Sequence, residues 1–339
     1  MENNAIKTVL ILGGRGRFGL SAARAFASAG WRVLAQIRPG AAAPNEGGGI
    51  HWLPLAPDDT AALVRAARGA SVVIHALNPL YTQWDRLVLP LLDASLCAAR
   101  QLGATLMLPG NVYNFGAAMP ALLHEATPQL PSTAKGHIRV RMEQLLAREA
   151  AAGGVRSVVI RAGDFFGSGT GNWFDQALVK DLTRGKMVYP GRLDVPTPWA
   201  YLPDLARAFA RVADKLTDAS AVMAPFEVFH FEGHTLTGKE WADQFADAAW
   251  DNGWLQPGGS LKTRFLPWPL IQAGGLLVPM WRELARMRYL WQTPHALSGN
   301  KLAALIGPEP HTELPLAVQQ SLQALGKVRH TGCSAAAWA

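Results

Sequence analysis

Short apolar runs alternate with longer segments of helical spacing through the first half of the chain. The runs predict strands over 9–12, 32–37, 50–55, 71–76, 104–108 and 156–161. The segments between them predict helices over 21–29, 60–68, 84–102 and 135–151. Strands that are apolar along their length and alternate with helices indicate a parallel sheet covered on both faces. Ligands of such sheets bind at the carboxyl ends of the strands, so functional residues are expected in the loops that follow them.

The second half of the chain is less regular. Pro/Gly-rich stretches at 190–198, 254–259 and 266–269 separate short elements, among them a predicted strand over 227–231 and a predicted helix over 239–249. We therefore expect an α/β fold in two parts. Residues 1–168 form the doubly wound parallel sheet. Residues 169–339 form a smaller C-terminal substrate region, with a segment near 193–212 returning to the first part.

A glycine-rich turn follows the first predicted strand and reads Gly13-Gly14-Arg15-Gly16-Arg17-Phe18-Gly19. Glycine permits backbone angles that a Cβ disfavours, and it lets the backbone come close to a pyrophosphate. The helix that follows offers unpaired N–H groups and the positive end of its dipole to that phosphate. The turn therefore predicts a dinucleotide-binding site of the Rossmann type. The alternative is an ordinary strand-to-helix turn.

The end of the second strand is where such folds choose between dinucleotides. An acidic residue there hydrogen-bonds the ribose hydroxyls of NAD, whereas a basic residue accommodates the extra phosphate of NADP. Arg38 stands at this position, and Arg15 and Arg17 could add charge-assisted hydrogen bonds. NADP(H) is therefore predicted in preference to NAD(H). The alternative is that Arg38 is a solvated loop residue.

Several segments resemble those of the extended short-chain dehydrogenases/reductases, often described as NAD-dependent epimerases/dehydratases. After the spacing Gly13-x-x-Gly16-x-x-Gly19, the matching segments are 72–79 (VVIHALNP), 161–167 (RAGDFFG), 201–208 (YLPDLARA) and 297–307 (LSGNKLAALIG). The resemblance covers most of the chain and implies a Rossmann-type sheet. It also implies cofactor contacts after the fourth and fifth strands, at Ala76, Leu77, Asn78 and Gly110.

The catalytic residues of that family are missing from the matching positions. The family places a Ser or Thr three residues before a V-Y-G triplet, and counting back from Val112 reaches Pro109 instead. The family's Tyr-x-x-x-Lys pair should precede a Glu on the helix over 135–151. Alignment on Glu143 puts Lys135 at the tyrosine position and Arg139 at the lysine position. The chain is therefore identified as an atypical member that lacks the Ser-Tyr-Lys set.

Four residues around these positions are candidate catalytic residues: Lys135, Arg139, Tyr113 and Asn111. Lys135 and Arg139 are four residues apart and lie on one helix face. Arg139 could hold ribose hydroxyls, but it stays protonated and cannot act as a base. Lys135 could act as a general acid or bind an anionic or carbonyl oxygen. Tyr113 could be a relocated acid and Asn111 a polar contact, and the alternatives are solvated helix residues and packing.

The end of the sixth strand supplies the candidate substrate-lining residues. They are Asp164, Phe165, Phe166 and Trp173. Walls of small-molecule pockets are mainly apolar and aromatic with a few polar groups, which fits this set. The alternatives are a turn cap for Asp164 and plain core for the aromatic residues. No His, Cys, Asp or Glu spacing suits a metal, so none is expected.

Composition and charge narrow the class of partner. Apolar residues make up 49% of the 339 residues, and the formal charge is +7 with arginines scattered along the chain. This charge indicates attraction for anionic ligands such as phosphates rather than a nucleic-acid surface. The two cysteines, Cys97 and Cys333, lie far apart, and the N-terminus shows no leader, so a reduced, cytoplasmic setting is expected.

Residues 265–281 carry no charged side chain, yet prolines and glycines interrupt them. We therefore expect no integral membrane span, but a pocket wall, a contact with a second copy or with a membrane surface, or core. Relatives in the resembled family commonly dimerise, so a homodimer is possible here.

Three functions follow from the sequence. The first is an NADP(H)-dependent oxidoreductase that acts on a small carbonyl or alcohol substrate with non-standard catalytic residues. The second is a non-catalytic NADP(H)-binding sensor or regulator of the NmrA-like type. The third is a sugar-nucleotide epimerase or dehydratase with tightly held NAD, which Arg38 and the missing tyrosine disfavour. An enzyme needs a titratable group beside the nicotinamide, whereas a sensor needs only the cofactor cleft and a partner surface.

Overall fold

A sheet of seven parallel strands forms the centre of the computed structural model, which describes residues 6–218 and 223–328. The strand order is β11-β7-β5-β4-β1-β2-β3. In chain order the strands are β1 (Thr8–Leu12), β2 (Arg32–Ile37), β3 (Ile50–Pro54), β4 (Val72–His75), β5 (Thr105–Gly110), β6 (Leu122–Leu123), β7 (Ser157–Arg161), β8 (Asp164–Phe166), β9 (Lys186–Tyr189), β10 (Thr197–Tyr201), β11 (Phe226–His230), β12 (His234–Leu236), β13 (Lys262–Phe265) and β14 (Ala296–Leu297).

Helices cover both faces of this sheet. They are α1 (Arg17–Ser28), α2 (Thr60–Ala66), α3 (Trp84–Leu102), α4 (Ala134–Ala151), α5 (Leu202–Thr217), α6 (Gly238–Asp251), α7 (Trp268–Gly274), α8 (Pro279–Arg286), α9 (Asn300–Ile306) and α10 (Leu314–Ala324). Three smaller sheets, β12-β10-β8, β13-β9 and β14-β6, lie outside the central one.

The predicted α/β class and the doubly wound parallel sheet are confirmed. Two apolar clusters fill the two sides of the sheet: α1 and α5 supply one, and α2, α3 and α4 contribute to the other. Strands β1, β2 and β4 are fully buried except Arg32, which explains their near-continuous apolar sequences. Helix α1 begins at Arg17, four residues earlier than predicted. Its N-cap is Gly16, so no polar side chain marks the start of the helix in the sequence.

The later part of the chain returns to the central sheet. Strand β11 adds to the edge beside β7, and α5 packs along α1. Asp204 lies in the first turn of α5, where its carboxylate accepts hydrogen bonds from the backbone N–H and the hydroxyl of Thr312. The division at residue 168 stays a prediction.

The apolar segment 265–281 folds as two short helices, α7 and α8, joined by a turn. Within the described residues no helix has both the length and the apolar character needed to cross a membrane. Cys97 on α3 is a free thiol, and Cys333 lies outside the described residues.

A buried ion pair anchors α4 to the sheet. The Arg161 guanidinium, at the end of β7, donates to both carboxylate oxygens of Glu143 on α4, at 3.0 and 2.6 Å. Its Nη1 lies 3.1 Å from His230 Nε2, and His230 Nδ1 lies 3.1 Å from the Leu123 carbonyl. Burial lowers the pKa of His230 to about 3, so the ring is neutral, accepts from Arg161 and donates to Leu123. One charge pair thus ties α4, β7, β11 and β6 together.

Replacing Glu143 by Gln leaves the Arg161 charge without its buried partner. Loss of one member of such a pair typically costs about 3–5 kcal/mol. We expect Glu143→Gln to lower the free energy of unfolding by about that amount in urea titrations. Glu149→Gln on the same helix is the matched control, because the Arg100 partner of Glu149 is half exposed and such pairs contribute about 0–1 kcal/mol. Equal losses in the two variants would contradict this role.

Candidate active site

The glycine-rich turn packs tightly between β1, β2 and β4. Gly13 has a positive φ of 87° and donates its N–H to Gln36 Oε1 at 3.0 Å, and Gly14 donates to the Gln36 carbonyl at 2.8 Å. A Cβ on Gly19 would lie 2.2 Å from the Gly13 carbonyl oxygen, and a Cβ on Gly13 would lie 2.9 Å from the Ala76 backbone. The turn therefore excludes larger residues and holds the start of α1 close to the end of β4.

Helix α1 starts directly behind this turn, with Gly16 at its N-cap and no side chain bonded to the cap. Phe18 contributes its backbone to the first turn, while its ring is buried against Phe165 and Phe209, with ring centroids 6.4 and 4.8 Å away. The ring anchors α1, and the N–H groups of the first turn have the arrangement that binds anions.

Two of the three predicted phosphate-binding arginines are exposed. Arg15 lies in the turn and Arg38 follows β2, and neither side chain makes a hydrogen bond or ion pair to any residue in 6–218 or 223–328. Arg17 differs, because its Nη1 is buried and has no hydrogen-bond partner there, and burial lowers its pKa. A buried donor without an acceptor is costly, so Arg17 indicates a missing polar ligand.

The loops after β4 and β5 lie at the same carboxyl edge. The Ala76 N–H donates to the Leu12 carbonyl at 2.9 Å, Leu77 is half-buried, and Asn78 is exposed. Gly110 ends β5, and a Cβ there would lie 2.8 Å from the Arg161 side chain. The predicted cofactor-contact segments are therefore brought to one edge of the sheet, with Gly110 packed on β7.

Two tyrosine hydroxyls meet beside this edge. Tyr113 follows β5 and Tyr81 lies in a short turn before α3, and their oxygens are 2.5 Å apart. Burial raises the pKa of each phenol above its usual value, so both are protonated near neutral pH. The sequence singled out Tyr113 but missed Tyr81, although Tyr81 stands in a loop that follows a strand at the functional edge.

Lys135 and Arg139 face this tyrosine pair from α4. Lys135 is 4% exposed, its Nζ lies 4.8 Å from the Tyr81 ring centroid, and it pairs with the Glu283 carboxylate from α8. The guanidinium of Arg139 lies 4.9 Å from the Trp84 ring. The charge of Lys135 is therefore balanced by Glu283, and its Nζ lies against the Tyr81 ring. Sequence reasoning missed Glu283, which is the single acidic residue between 262 and 288.

Arg139 contacts Pro109, the residue that the sequence resemblance puts in place of the Ser or Thr. Its Nη1 donates to the Pro109 carbonyl at 3.2 Å, and its Nε is buried without a partner among the described residues. Burial lowers the pKa of Arg139, yet a guanidinium does not serve as a base. Arg139 therefore presents an unused buried donor, as Arg17 does.

Asp164 and Tyr113 line a cavity of about 20 Å³, which has room for about one water molecule. Burial raises the pKa of Asp164 to about 7, against the opposing effect of the Arg17 charge. Asn111 lines the same cavity and accepts the Tyr113 N–H through Oδ1 at 3.1 Å, so it shapes the turn that carries Tyr113. A carboxyl group that titrates near neutrality beside a phenol can exchange protons with it.

The aromatic candidates divide between core and site. Phe166 is fully buried among other rings, with Trp241 and Phe174 at 5.4 and 5.5 Å. Phe165 and Trp173 are half-buried, and Trp173 packs edge-on against Trp291 at 5.3 Å. Phe165 and Trp173 thus keep a surface that could face a substrate, whereas Phe166 is core. The described residues hold no group of three or more His, Cys, Asp or Glu that could bind a metal ion.

The residues present fit a dinucleotide. The glycine-rich turn has no room for Cβ atoms, and the start of α1 lacks a side-chain cap. Among the described residues, Arg17 and Arg139 each have a buried donor without a partner. Phosphate and hydroxyl groups are the ligands that such donors bind.

Comparison with known proteins places this chain in a family. The sequence model of the NAD dependent epimerase/dehydratase family matches residues 9–223. A search of the curated proteins gave no match. Among solved structures, the chain is similar to a UDP-glucose 4-epimerase from Thermotoga maritima in complex with UDP-glucose, at TM-score 0.71 and 14% identity over 94% of this chain and 99% of that one.

Two further structures are similar at the same level. A nucleoside-diphosphate-sugar epimerase from Pseudomonas aeruginosa has TM-score 0.70 and 17% identity, over 95% of this chain and 98% of that one. MoeE5 in complex with UDP-glucose and NAD has TM-score 0.69 and 15% identity, over 94% and 99%. At these identities the structures establish the fold.

Asp164 makes stability depend on pH in a defined direction. Its pKa is raised from 3.8 to about 7 in the folded protein, so folding favours the protonated form. The stabilising contribution of that form is complete below about pH 4 and is lost as the pH rises through about 7. Asp164→Asn cannot ionise, and we expect its free energy of unfolding to rise relative to wild type between about pH 5 and about pH 8.

Urea titrations at the two pH values measure this difference. Asp58→Asn is the control, because Asp58 is exposed. The free energy of unfolding of this variant should differ from that of wild type by the same amount at both pH values. A constant difference between Asp164→Asn and wild type would mean that Asp164 is an ordinary carboxylate.

Proposed function

The chain belongs to the NAD dependent epimerase/dehydratase family, and on that premise we propose that it is an NADP(H)-dependent oxidoreductase acting on a small carbonyl or alcohol substrate. The observation that carries the proposal is the Tyr81–Tyr113 hydroxyl pair, at the carboxyl edge of the sheet, with Asp164 on the same small cavity as Tyr113. An oxidoreductase of this kind needs a titratable hydroxyl beside the cofactor to transfer the substrate proton.

The cofactor, when bound, supplies or takes up the hydride. In the proposal its pyrophosphate lies against the glycine-rich turn and the start of α1. Arg15 and Arg38 hold the 2′-phosphate, since both side chains are exposed and unbonded among the described residues. Arg17 and Arg139 use their buried donors for phosphate or ribose hydroxyl oxygens, which removes the cost of leaving those donors unsatisfied.

Tyr113 transfers the proton in this scheme. Its hydroxyl gives its proton to the substrate oxygen during carbonyl reduction, while the Tyr81 hydroxyl donates a hydrogen bond to the Tyr113 oxygen across their 2.5 Å contact and keeps its own proton. Asp164, whose pKa is about 7, then returns a proton to the Tyr113 oxygen through one water in the cavity that the two residues share, and solvent reprotonates Asp164. Lys135 positions Tyr81 by lying over its ring while Glu283 balances its charge. Alcohol oxidation reverses these transfers.

The sugar-nucleotide alternative rests on the similar structures, whose descriptions name UDP-glucose 4-epimerase and a UDP-glucose complex. That function would require tightly held NAD, and Arg38 disfavours the NAD ribose at the end of β2. The sensor alternative rests on the absent Ser-Tyr-Lys set, and the buried phenol pair disfavours it. A cytoplasmic setting and a homodimer remain our proposals from the sequence.

Arg38→Ala tests the cofactor assignment. Loss of a charge-assisted contact to the 2′-phosphate should weaken NADPH binding by at least about tenfold and leave NADH binding unchanged. Isothermal titration calorimetry with both dinucleotides measures this. Arg32→Ala is the matched control, because Arg32 is an exposed arginine at the opposite end of β2. Equal affinity of wild type for the two dinucleotides would contradict the NADP preference.

Tyr113→Phe tests the proton donor. Removing a general acid typically costs about 10²–10⁴ in rate, so turnover should fall by that factor while NADPH affinity stays within about twofold. Oxidation of NADPH by a panel of aldehydes and ketones is the assay. Tyr81→Phe should lower turnover less, because it removes only the hydrogen bond to the Tyr113 oxygen.

Tyr201→Phe is the control for these variants, since its hydroxyl bonds to Gln320 on α10 and not to Tyr81, Tyr113 or Asp164. Full activity in Tyr113→Phe would exclude Tyr113 as the acid. Wild type that binds NADPH but oxidises it with no carbonyl compound would favour the sensor.

A further inference from the structure

A cluster of exposed apolar side chains lies where α7 meets α8. We define the α7–α8 tip as Leu270, Leu276, Leu277, Val278 and Trp281. Leu276 and Leu277 are 85% and 89% exposed, and Leu270 is 60% exposed. Exposed apolar clusters of this kind mark a contact surface rather than an average protein surface.

The tip is a built turn. The N–H groups of Leu277 and Val278 donate to the Gly274 carbonyl at 3.0 and 2.8 Å. A Cβ on Gly274 would lie 2.3 Å from the Trp281 ring, so the two short helices are in direct contact. At the base, Trp268 is buried and donates its indole N–H to the Pro190 carbonyl at 2.5 Å. The fold therefore holds Leu276 and Leu277 away from the core.

Positive charge borders the tip in sequence. Between 262 and 288 the cations are Lys262, Arg264, Arg282, Arg286 and Arg288, and the single acidic residue is Glu283. Glu283 pairs with both Lys135 and Arg286, so this one carboxylate leaves the segment with an excess of positive charge. Leucines and a tryptophan with neighbouring exposed arginines form the pattern that inserts shallowly into anionic phospholipid headgroups.

The same charges disfavour a second copy of the chain as the occupant. A two-fold interface brings the same patch of both subunits together, so arginines beside the tip would approach one another. An anionic bilayer instead attracts every one of these cations, and the whole chain carries a formal charge of +7.

We propose that the α7–α8 tip docks the protein on the surface of an anionic lipid bilayer, with Leu276 and Leu277 entering the headgroup region and Arg282 contacting lipid phosphates. The docking is peripheral. It places α8, and with it the Glu283–Lys135 pair of the candidate site, next to the membrane surface. The inference uses only the surface of the protein and is independent of the proposed catalytic function.

Vesicle co-sedimentation tests the proposal. The full chain is mixed with vesicles of phosphatidylcholine alone or of phosphatidylcholine with phosphatidylglycerol. We expect binding to the anionic vesicles that weakens with added salt, and a Leu276→Asp/Leu277→Asp variant whose partition coefficient falls by at least about tenfold. Arg282→Gln should weaken binding to anionic vesicles by about fivefold.

Leu316→Asp is the matched control, because Leu316 is a half-exposed leucine on α10, outside the tip. Its binding should equal that of wild type, and circular dichroism should show that all variants fold. Wild type that fails to sediment with anionic vesicles would overturn the proposal, as would undiminished binding of the double variant. A dimer that the double variant converts to monomer in analytical ultracentrifugation, without vesicle binding, would identify a second copy as the occupant and overturn it as well.

Discussion

The buried pair between Glu143 and Arg161 is the contact on which the candidate site depends. It fixes α4 against the end of β7, and through His230 it includes β11, the strand that the later part of the chain adds to the sheet. Helix α4 carries Lys135 and Arg139 one turn apart. The Glu143–Arg161 ion pair therefore sets the distance of both cations from the carboxyl edge of the sheet. A buried pair of this kind is costly to break, which makes the position of α4 rigid.

Around that anchor, positive charge is concentrated without enough acceptors. Lys135 is balanced by Glu283, whereas Arg17 and Arg139 each keep one buried donor unpaired among the described residues. A fold tolerates such donors where a ligand completes them. The phenol pair and Asp164 stand beside these cations and differ from them in being able to move a proton. Binding and proton transfer are thus assigned to separate groups.

Local patterns made most of the fold predictable. Strand β2 and helix α3 have the predicted bounds, since apolar runs and helical spacing are properties of neighbouring residues. The glycine-rich turn was equally predictable, because a Cβ at its glycines would lie too close to neighbouring atoms, most of them in the backbone. Tyr81 and Glu283 were not found: Tyr81 meets Tyr113 from another loop, and Glu283 reaches Lys135 across 148 residues. Such pairings depend on the packed tertiary structure, which a single sequence does not encode locally.

A crystal structure of the chain with bound NADPH tests the central claim most directly. The account predicts the pyrophosphate on the glycine-rich turn, the 2′-phosphate against Arg38, and the nicotinamide ring placed so that a carbonyl group could contact both the ring and the Tyr113 hydroxyl. A nicotinamide ring directed away from Tyr113, or a 2′-phosphate that leaves Arg38 in solvent, would contradict it.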